Sequence, residues 1–190
     1  MQFYQKFYTA LIGSIATLFG AGKCKFAPGT VGSLVAILPF FIWAPSLKNI
    51  TIITICSFII GLYASAQYSQ ILQQKDPSVI VIDELCGIWV AILICYLLEY
   101  IQFGVNNKVL IDYNNINVNT IGILSRKQVF LRNSMFLTLI FIFFRASDII
   151  KPFPISLIDK NVAGGIGIML DDVLAGVLTG LIVYLIWFIR

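Results

Sequence analysis

Asp83 and Glu84 are neighbours in this chain, as are Asp171 and Asp172, and Asp148 stands three residues from both Arg145 and Lys151. Seven of the nine acidic residues fall between Asp76 and Glu84 or between Asp148 and Asp172, against segments apolar enough to cross a membrane. An ionisable group near hydrocarbon costs about 2.5 to 3.5 kcal/mol on an insertion scale, so a cluster there marks an ion, proton or phosphate site. Asp83, Glu84, Asp148, Asp171 and Asp172 would repel one another in one pocket unless a divalent cation neutralised them. Oxygen donors in a chain with no histidine favour a hard ion such as Mg²⁺. Helix capping is the competing reading, worth about 0.3 to 1 kcal/mol per carboxylate in a first turn. It accounts for one acidic pair, but not for two pairs plus Asp148 in a chain whose charged residues are 12% of the total.

Arg145, Lys151, Lys23 and Lys25 border the same stretches, and guanidinium with ammonium is suited to gripping phosphate, the former by paired hydrogen bonds. Taken singly, each could be a juxtamembrane side chain snorkelling to the interface. Arg145, Asp148 and Lys151 rise above that reading because i+3 spacing predicts a plus-minus-plus line on one helix face. Two glycine-rich stretches, Pro28-Gly29-Thr30-Val31-Gly32-Ser33 and Gly164-Gly165-Ile166-Gly167, would let backbone amides approach an anion. Gly29, Thr30, Ser33, Gly164 and Gly165 are therefore candidate phosphate contacts beside Arg145 and Lys151, with a turn or close helix packing as the alternative. Neither stretch is a Walker A loop, and Gly22-Lys23 does not complete one, since Thr17 stands where that motif needs glycine and Cys24 where it needs Ser or Thr. Gly176 and Gly180 form a G-x-x-x-G that reads as a helix contact.

The elements that must position these groups are helices in a membrane. With 59% hydrophobic residues and a mean hydropathy of +0.92, the chain reads as an all-α, polytopic membrane protein of one domain over residues 1–190. The net charge of +4, without a basic run, points to a membrane surface and not to nucleic acid. Cys24, Cys56, Cys86 and Cys95 lack metal-ligand spacing and imply neither zinc nor a disulfide framework. Phe7 to Phe19 has no convincing cleavage pattern after it and is too short to span, so it is expected to be a retained interfacial or re-entrant helix. Leu34 to Ala44, Ile50 to Tyr68, Gly87 to Phe103, Leu131 to Phe144 and Val173 to Ile189 give about five crossings, the first of them short and carrying Pro39.

Five crossings would turn Gly20 to Ser33, Lys75 to Cys86 and Arg145 to Asp172 toward one compartment, where helix ends bring their carboxylates together. Ser46 to Asn49 and the Asn-rich stretch Asn106 to Lys127, with Asp112, would face the other. Lysine and arginine divide seven to six between the sides, so the positive-inside rule does not orient the chain.

Four blocks of this sequence resemble the phosphatidylglycerophosphatase A family. They are Ala27-Pro28-Gly29-Thr30-Val31-Gly32-Ser33-Leu34; Ile82-Asp83-Glu84 with Gly87; Phe144-Arg145-x-x-Asp148-x-x-Lys151-Pro152-x-Pro154-Ile155 with Asp159; and Gly164-Gly165-x-Gly167-Ile168-Met169-x-Asp171-Asp172-x-x-Ala175-Gly176. The similarity runs from about Gly20 to the C-terminus, and its last block is the most specific. It implies a membrane enzyme that removes the terminal phosphate of phosphatidylglycerophosphate with Mg²⁺, giving phosphatidylglycerol on the way to cardiolipin. The expected setting is the bacterial inner membrane, with phospholipid as partner and the site on the cytoplasmic face. The Asn-rich loop from Gly104 to Gln128 is longer than the resemblance leads one to expect.

In that chemistry Mg²⁺ held by some of the five carboxylates polarises the phosphoryl group and orients water, while Arg145 and Lys151 stabilise charge on its oxygens. A carboxylate outside the metal set accepts the proton from that water. No histidine, Cys-x5-Arg loop or Asp-x-Asp-x-Thr motif supplies a covalent nucleophile. The D-G-x-x-A-R signature of head-group phosphotransferases is also missing. A cation transporter or channel remains the reading from another class, although it needs its carboxylates at mid-bilayer depth in broken helices.

Overall fold

The computed structural model describes residues 2–43, 45–103 and 123–188. Among them every regular element is helical: α1 (Gln2–Ala16), a 3-10 turn (Ala21–Lys23), α2 (Pro28–Ile37), α3 (Pro39–Ile42), α4 (Leu47–Leu72), α5 (Ile82–Phe103), α6 (Ile123–Ile150), α7 (Ile155–Asn161) and α8 (Gly164–Phe188). Local chemistry sets several of these ends. Pro28 opens α2 and Pro39 opens α3, where a missing N–H costs no helical hydrogen bond. Ser46 caps α4 by accepting from the Asn49 amide at 3.3 Å. Gln73 closes α4 in a left-handed conformation, φ 54°.

Among the described residues three helices are long and apolar enough to cross a membrane: Leu47–Leu72, Ile82–Gln102 and Gly164–Trp187, with mean hydropathies of 1.8, 1.8 and 2.0. The 26 residues of α4 extend about 39 Å at ~1.5 Å per residue, more than the ~30 Å of hydrocarbon. Its outward face exposes Ile52, Ile55, Ile59, Ile60 and Tyr63, as α8 exposes Leu181, Leu185 and Ile186. The segment expected at Phe7 to Phe19 is α1, 15 residues long. The one expected at Leu34 to Ala44 is divided between α2 and α3 at Pro39, and the one at Leu131 to Phe144 lies inside α6. Positions 104–122 of the Asn-rich stretch, Asp112 among them, lie outside the described residues.

The contact between α5 and α8 organises the site. A Cβ added to Gly176 would lie 2.2 Å from the Gly87 carbonyl oxygen, one added to Gly87 would lie 2.6 Å from that of Asp172, and one added to Gly180 would lie 2.7 Å from that of Ala91. The two backbones therefore touch along a strip that only hydrogen can occupy, as small residues allow inside a membrane. The G-x-x-x-G read from the sequence is this helix contact. Phe144 from α6 closes over Gly87, where an added Cβ would meet its ring at 2.5 Å. On one side of this seam Ile88, Ile92, Phe136, Ile140, Phe144 and Val183 form the larger apolar core. Trp89 joins α2 to it, donating to the Ala36 carbonyl at 3.0 Å with its ring edge-on to Phe40 at 6.3 Å. A smaller core of Ala16, Ala64, Ile82, Cys86 and Met169 joins α1 and α4 to the seam.

Helices run further than the apolar segments that announce them. Asp83 and Glu84 lie in the first turn of α5 instead of ahead of a helix starting near Gly87. Asp148 lies in the last turn of α6, and Asp171 and Asp172 lie two turns inside α8 instead of opening it. Each extension is polar yet packed, so its hydrogen bonds are shielded even where hydropathy has fallen.

Candidate active site

Four backbone segments meet at one end of the α5–α8 seam: the first turns of α2 and α5, the last turn of α6 and the early part of α8. Asp83, Glu84 and Asp172 each present a carboxylate oxygen within 4.8 Å of the others. The glycine strip explains the approach, because Gly87 lies one turn beyond Asp83 and Gly176 one turn beyond Asp172. Fractional exposures are 8% for Asp83, 9% for Glu84, 7% for Asp171 and 4% for Asp172. Four carboxylates so deeply buried are expensive unless something neutralises them.

Arg145 neutralises part of this charge. Its Nη1 donates to Asp148 Oδ2 at 2.7 Å, the i+3 pair expected from the sequence, and lies 4.0 Å from Glu84 Oε1. The guanidinium thus stands between Asp148 and one member of the carboxylate trio, Glu84. Gly29 lets α2 lie directly on this pair: an added Cβ would stand 2.4 Å from Glu84 Oε1 and 3.0 Å from Arg145 Nη1. Thr30 is half-buried beside it. Ser33 is buried, and its hydroxyl donates back to the Gly29 carbonyl at 2.8 Å, bracing the turn that carries Gly29.

Lys151 departs from the expected plus-minus-plus line. The helix ends at Ile150 and Lys151 adopts a left-handed φ of 46°, which turns its side chain off the face shared by Arg145 and Asp148. Its Nζ instead lies 2.6 Å from Asp159 Oδ1 and 2.7 Å from Asp171 Oδ2. Burial would lower the lysine's pKa, but the hydrogen bonds it donates to Asp159 and Asp171 outweigh that and hold it above the ordinary lysine range. Asp159 was legible only as part of a family-like block. Nothing in its spacing shows that α7 folds back to bring it against Lys151. Asp76 joins the same region, lining with Asp159, Asp171 and Gly167 a cavity of about 200 Å³.

The remaining glycine-rich residues serve packing. Gly165 backs onto α4, where an added Cβ would meet the Leu62 carbonyl oxygen at 2.6 Å. Gly164 opens α8 with φ +76°, a conformation that suits glycine. Lys23 and Lys25 are exposed, and among the described residues neither forms an ion pair with the acidic cluster. Cys24 and Cys56 are exposed, Cys86 and Cys95 buried, and all four are free thiols.

The acidic trio suits a hard cation. The ligand oxygens of an octahedral ion at about 2.1 Å lie within about 4.2 Å of one another, so the trio needs only a small adjustment. More telling are three buried polar atoms with no hydrogen-bond partner, Glu84 Oε2, Asp171 Oδ1 and the Arg145 Nε–H. Buried polar atoms are rarely left unpaired. Two orphaned acceptors and one orphaned donor in one cluster match a site that takes a cation and an anion together.

The profile of a family described as phosphatidylglycerophosphatase A matches residues 14–187. The phosphatidylglycerophosphatase A of Escherichia coli K12 is 30% identical over 174 residues, covering 90% of this chain and 81% of that protein. The protein of the same name from Haemophilus influenzae is 28% identical over 174 residues, with 90% and 86% covered. A Bacteroides thetaiotaomicron protein with a provisional phosphatidylinositol-3-phosphatase name is 29% identical over 174 residues, with 86% and 85% covered. No solved structure matches the chain. The profile spans α5 and α6 whole and α8 as far as Trp187, and with them every carboxylate of the buried cluster: the chain belongs to the phosphatidylglycerophosphatase A family.

Proposed function

We propose that this protein hydrolyses the terminal phosphate monoester of phosphatidylglycerophosphate to phosphatidylglycerol and inorganic phosphate, in a bacterial inner membrane on the route to cardiolipin. The observation that carries the reading is the set of orphaned atoms in the carboxylate cluster, Glu84 Oε2 and Asp171 Oδ1 beside the Arg145 Nε–H. Asp83, Glu84 and Asp172 would hold Mg²⁺. When bound there, such an ion would supply neutralisation of the trio, polarisation of the phosphoryl group and activation of water.

The chain's own groups do the rest. The Arg145 guanidinium, fixed through Asp148, binds the phosphoryl oxygens and stabilises the charge that grows on them as the ester bond breaks. Gly29 leaves the backbone close to that position without a side chain in the way. Asp171 is held at one oxygen by Lys151 and has the other unpartnered, so it is poised to accept the proton of the attacking water. Lys151 stays cationic through its two carboxylate partners and lends positive charge to the same region. Thr30 and Ser33 flank Gly29 on the turn that lies against Glu84 and Arg145, while Gly164 and Gly165 serve the packing of α8.

The proposed topology counts α2–α3 and α6 with the three long helices, giving about five crossings, with the site on the cytoplasmic face. The curated relatives differ in the named head group but agree on removal of a phosphate from a glycerophospholipid. Phosphate release from phosphatidylglycerophosphate by purified protein in detergent tests the reading: it is expected with Mg²⁺, lost with EDTA and restored by excess Mg²⁺. No release, with cation flux in proteoliposomes instead, would replace the hydrolase by a transporter.

A further inference from the structure

A groove of about 740 Å³ lies away from the carboxylates, between α1 and α4. Gln5, Lys6, Thr9, Ser14, Lys23 and Tyr68 line it, and no carboxylate does. Among the described residues neither lysine is in an ion pair, so the groove is cationic and uncompensated. The sequence grouped Lys23 with the phosphate-gripping residues of the acidic cluster, whereas the fold directs it here, beside Lys6 from another turn of chain.

The wall of this groove is built for an interface. Phe3, Phe7 and Leu11 recur every four residues on α1, and they are 85%, 61% and 49% exposed. Gln5, Lys6, Thr9 and Ser14 occupy the groove side of the same helix. A short helix with aromatic and aliphatic residues on one face and lysine with polar residues on another lies flat at the lipid boundary. It is pinned there: the Tyr8 hydroxyl meets that of Tyr63 at 2.9 Å and donates to Gln67 Oε1 at 3.3 Å. Gly13 makes room for the groove's aromatic wall, since an added Cβ would meet the Tyr68 ring at 2.9 Å.

We propose that the α1–α4 groove binds the phosphate head group of an anionic glycerophospholipid from the surrounding bilayer, with its acyl chains lying along Phe3, Phe7 and Leu11. The volume falls within the ~300–1,000 Å³ of small-molecule sites and exceeds what a bare phosphate fills. Two free ammonium groups select against zwitterionic lipid, each worth about a five-fold change in affinity near a membrane surface. The site shares no residue with Asp83, Glu84 and Asp172, so it stands or falls independently of the proposed hydrolysis.

Native mass spectrometry of the full chain in detergent tests this, with phosphatidylglycerol and phosphatidylcholine as probes. One phosphatidylglycerol is expected to persist per chain where phosphatidylcholine does not. Lys6→Ala with Lys23→Ala should weaken it about thirty-fold, Lys6→Arg with Lys23→Arg should restore it, and Asp172→Asn should leave it unchanged. Lys6→Gln alone, on an exposed helix face, should weaken it about five-fold and serves if the double variant does not fold. Equal retention of the two lipids, or of phosphatidylglycerol by wild type and the alanine variant, would overturn the proposal. Displacement by millimolar inorganic phosphate would reassign the groove to a soluble anion, and loss of lipid in Asp172→Asn would reassign the adduct to the carboxylate site.

Discussion

Replacing Gly176 by alanine tests whether the glycine strip sets the spacing of the carboxylates. The new methyl would lie 2.2 Å from the Gly87 carbonyl oxygen, where ordinary contact begins at 3.4 Å, so the backbones of α5 and α8 must part by about 1.2 Å. Neither side of the clash is a flexible side chain. Asp83 and Glu84 ride on one helix and Asp172 on the other, each one turn from the contact, so most of that displacement reaches the trio. A misplacement of about 1 Å at a reacting centre costs on the order of 10²-fold in rate, which is the loss expected in kcat. Two further glycines calibrate the effect. Gly180→Ala, a turn further from the site and 2.7 Å from the Ala91 carbonyl oxygen, should lose less. Gly61→Ala meets side chains and no backbone, the tip of Met169 at 2.7 Å and Ile82 Cγ1 at 3.2 Å, and methionine can swing aside; its activity should stay near wild type. Phosphate release with saturating Mg²⁺, measured beside thermal unfolding in the same detergent, separates geometry from folding. Gly176→Ala within two-fold of wild-type turnover at unchanged stability would refute the argument, as would an inverted order among the three.

Asp172→Asn keeps the shape of the trio but removes a charge from it, and turnover is expected to fall at least about 10²-fold with the Mg²⁺ requirement shifted to higher concentration. A Mg²⁺ titration of phosphate release checks this, and an unchanged midpoint would remove Asp172 from the metal set. Lys151 titrates above its unfolded value, so its ion pairs contribute fully below about pH 10.4 and fade as pH rises through the folded pKa. The stability gap between wild type and Lys151→Gln should therefore be level from about pH 6 to about pH 9 and narrow in stronger alkali, and thermal unfolding across that range would show a gap that widens instead if the reasoning is wrong. A water-soluble maleimide should modify Cys24 well before the buried Cys86 and Cys95; mass spectrometry of the first adduct identifies the thiol, and first reaction at Cys86 would contradict the seam.

Residue types alone determined an all-helical chain with segments apolar enough for a membrane, and an acidic cluster of the kind that could hold a metal ion. Hydropathy marks helices because a bilayer leaves no other way to satisfy the backbone, and carboxylates in such a chain stand out by their cost. The Arg145–Asp148 pair was legible because i+3 neighbours on a helix meet whatever else the chain does. Helix ends were misjudged because hydropathy falls before the helix does at Asp83, Asp148 and Gly164. Tertiary structure alone decided who pairs with whom across the chain. The left-handed turn at Lys151 hands that lysine to Asp159 and Asp171, and the return of α7 is what brings Asp159 within reach. Which three carboxylates converge depends on where Gly87 and Gly176 let two backbones touch, a distance of a few ångströms that no one-dimensional pattern encodes. Lys23 shows the same limit, because its neighbour in space, Lys6, is set by how α1 lies across α4.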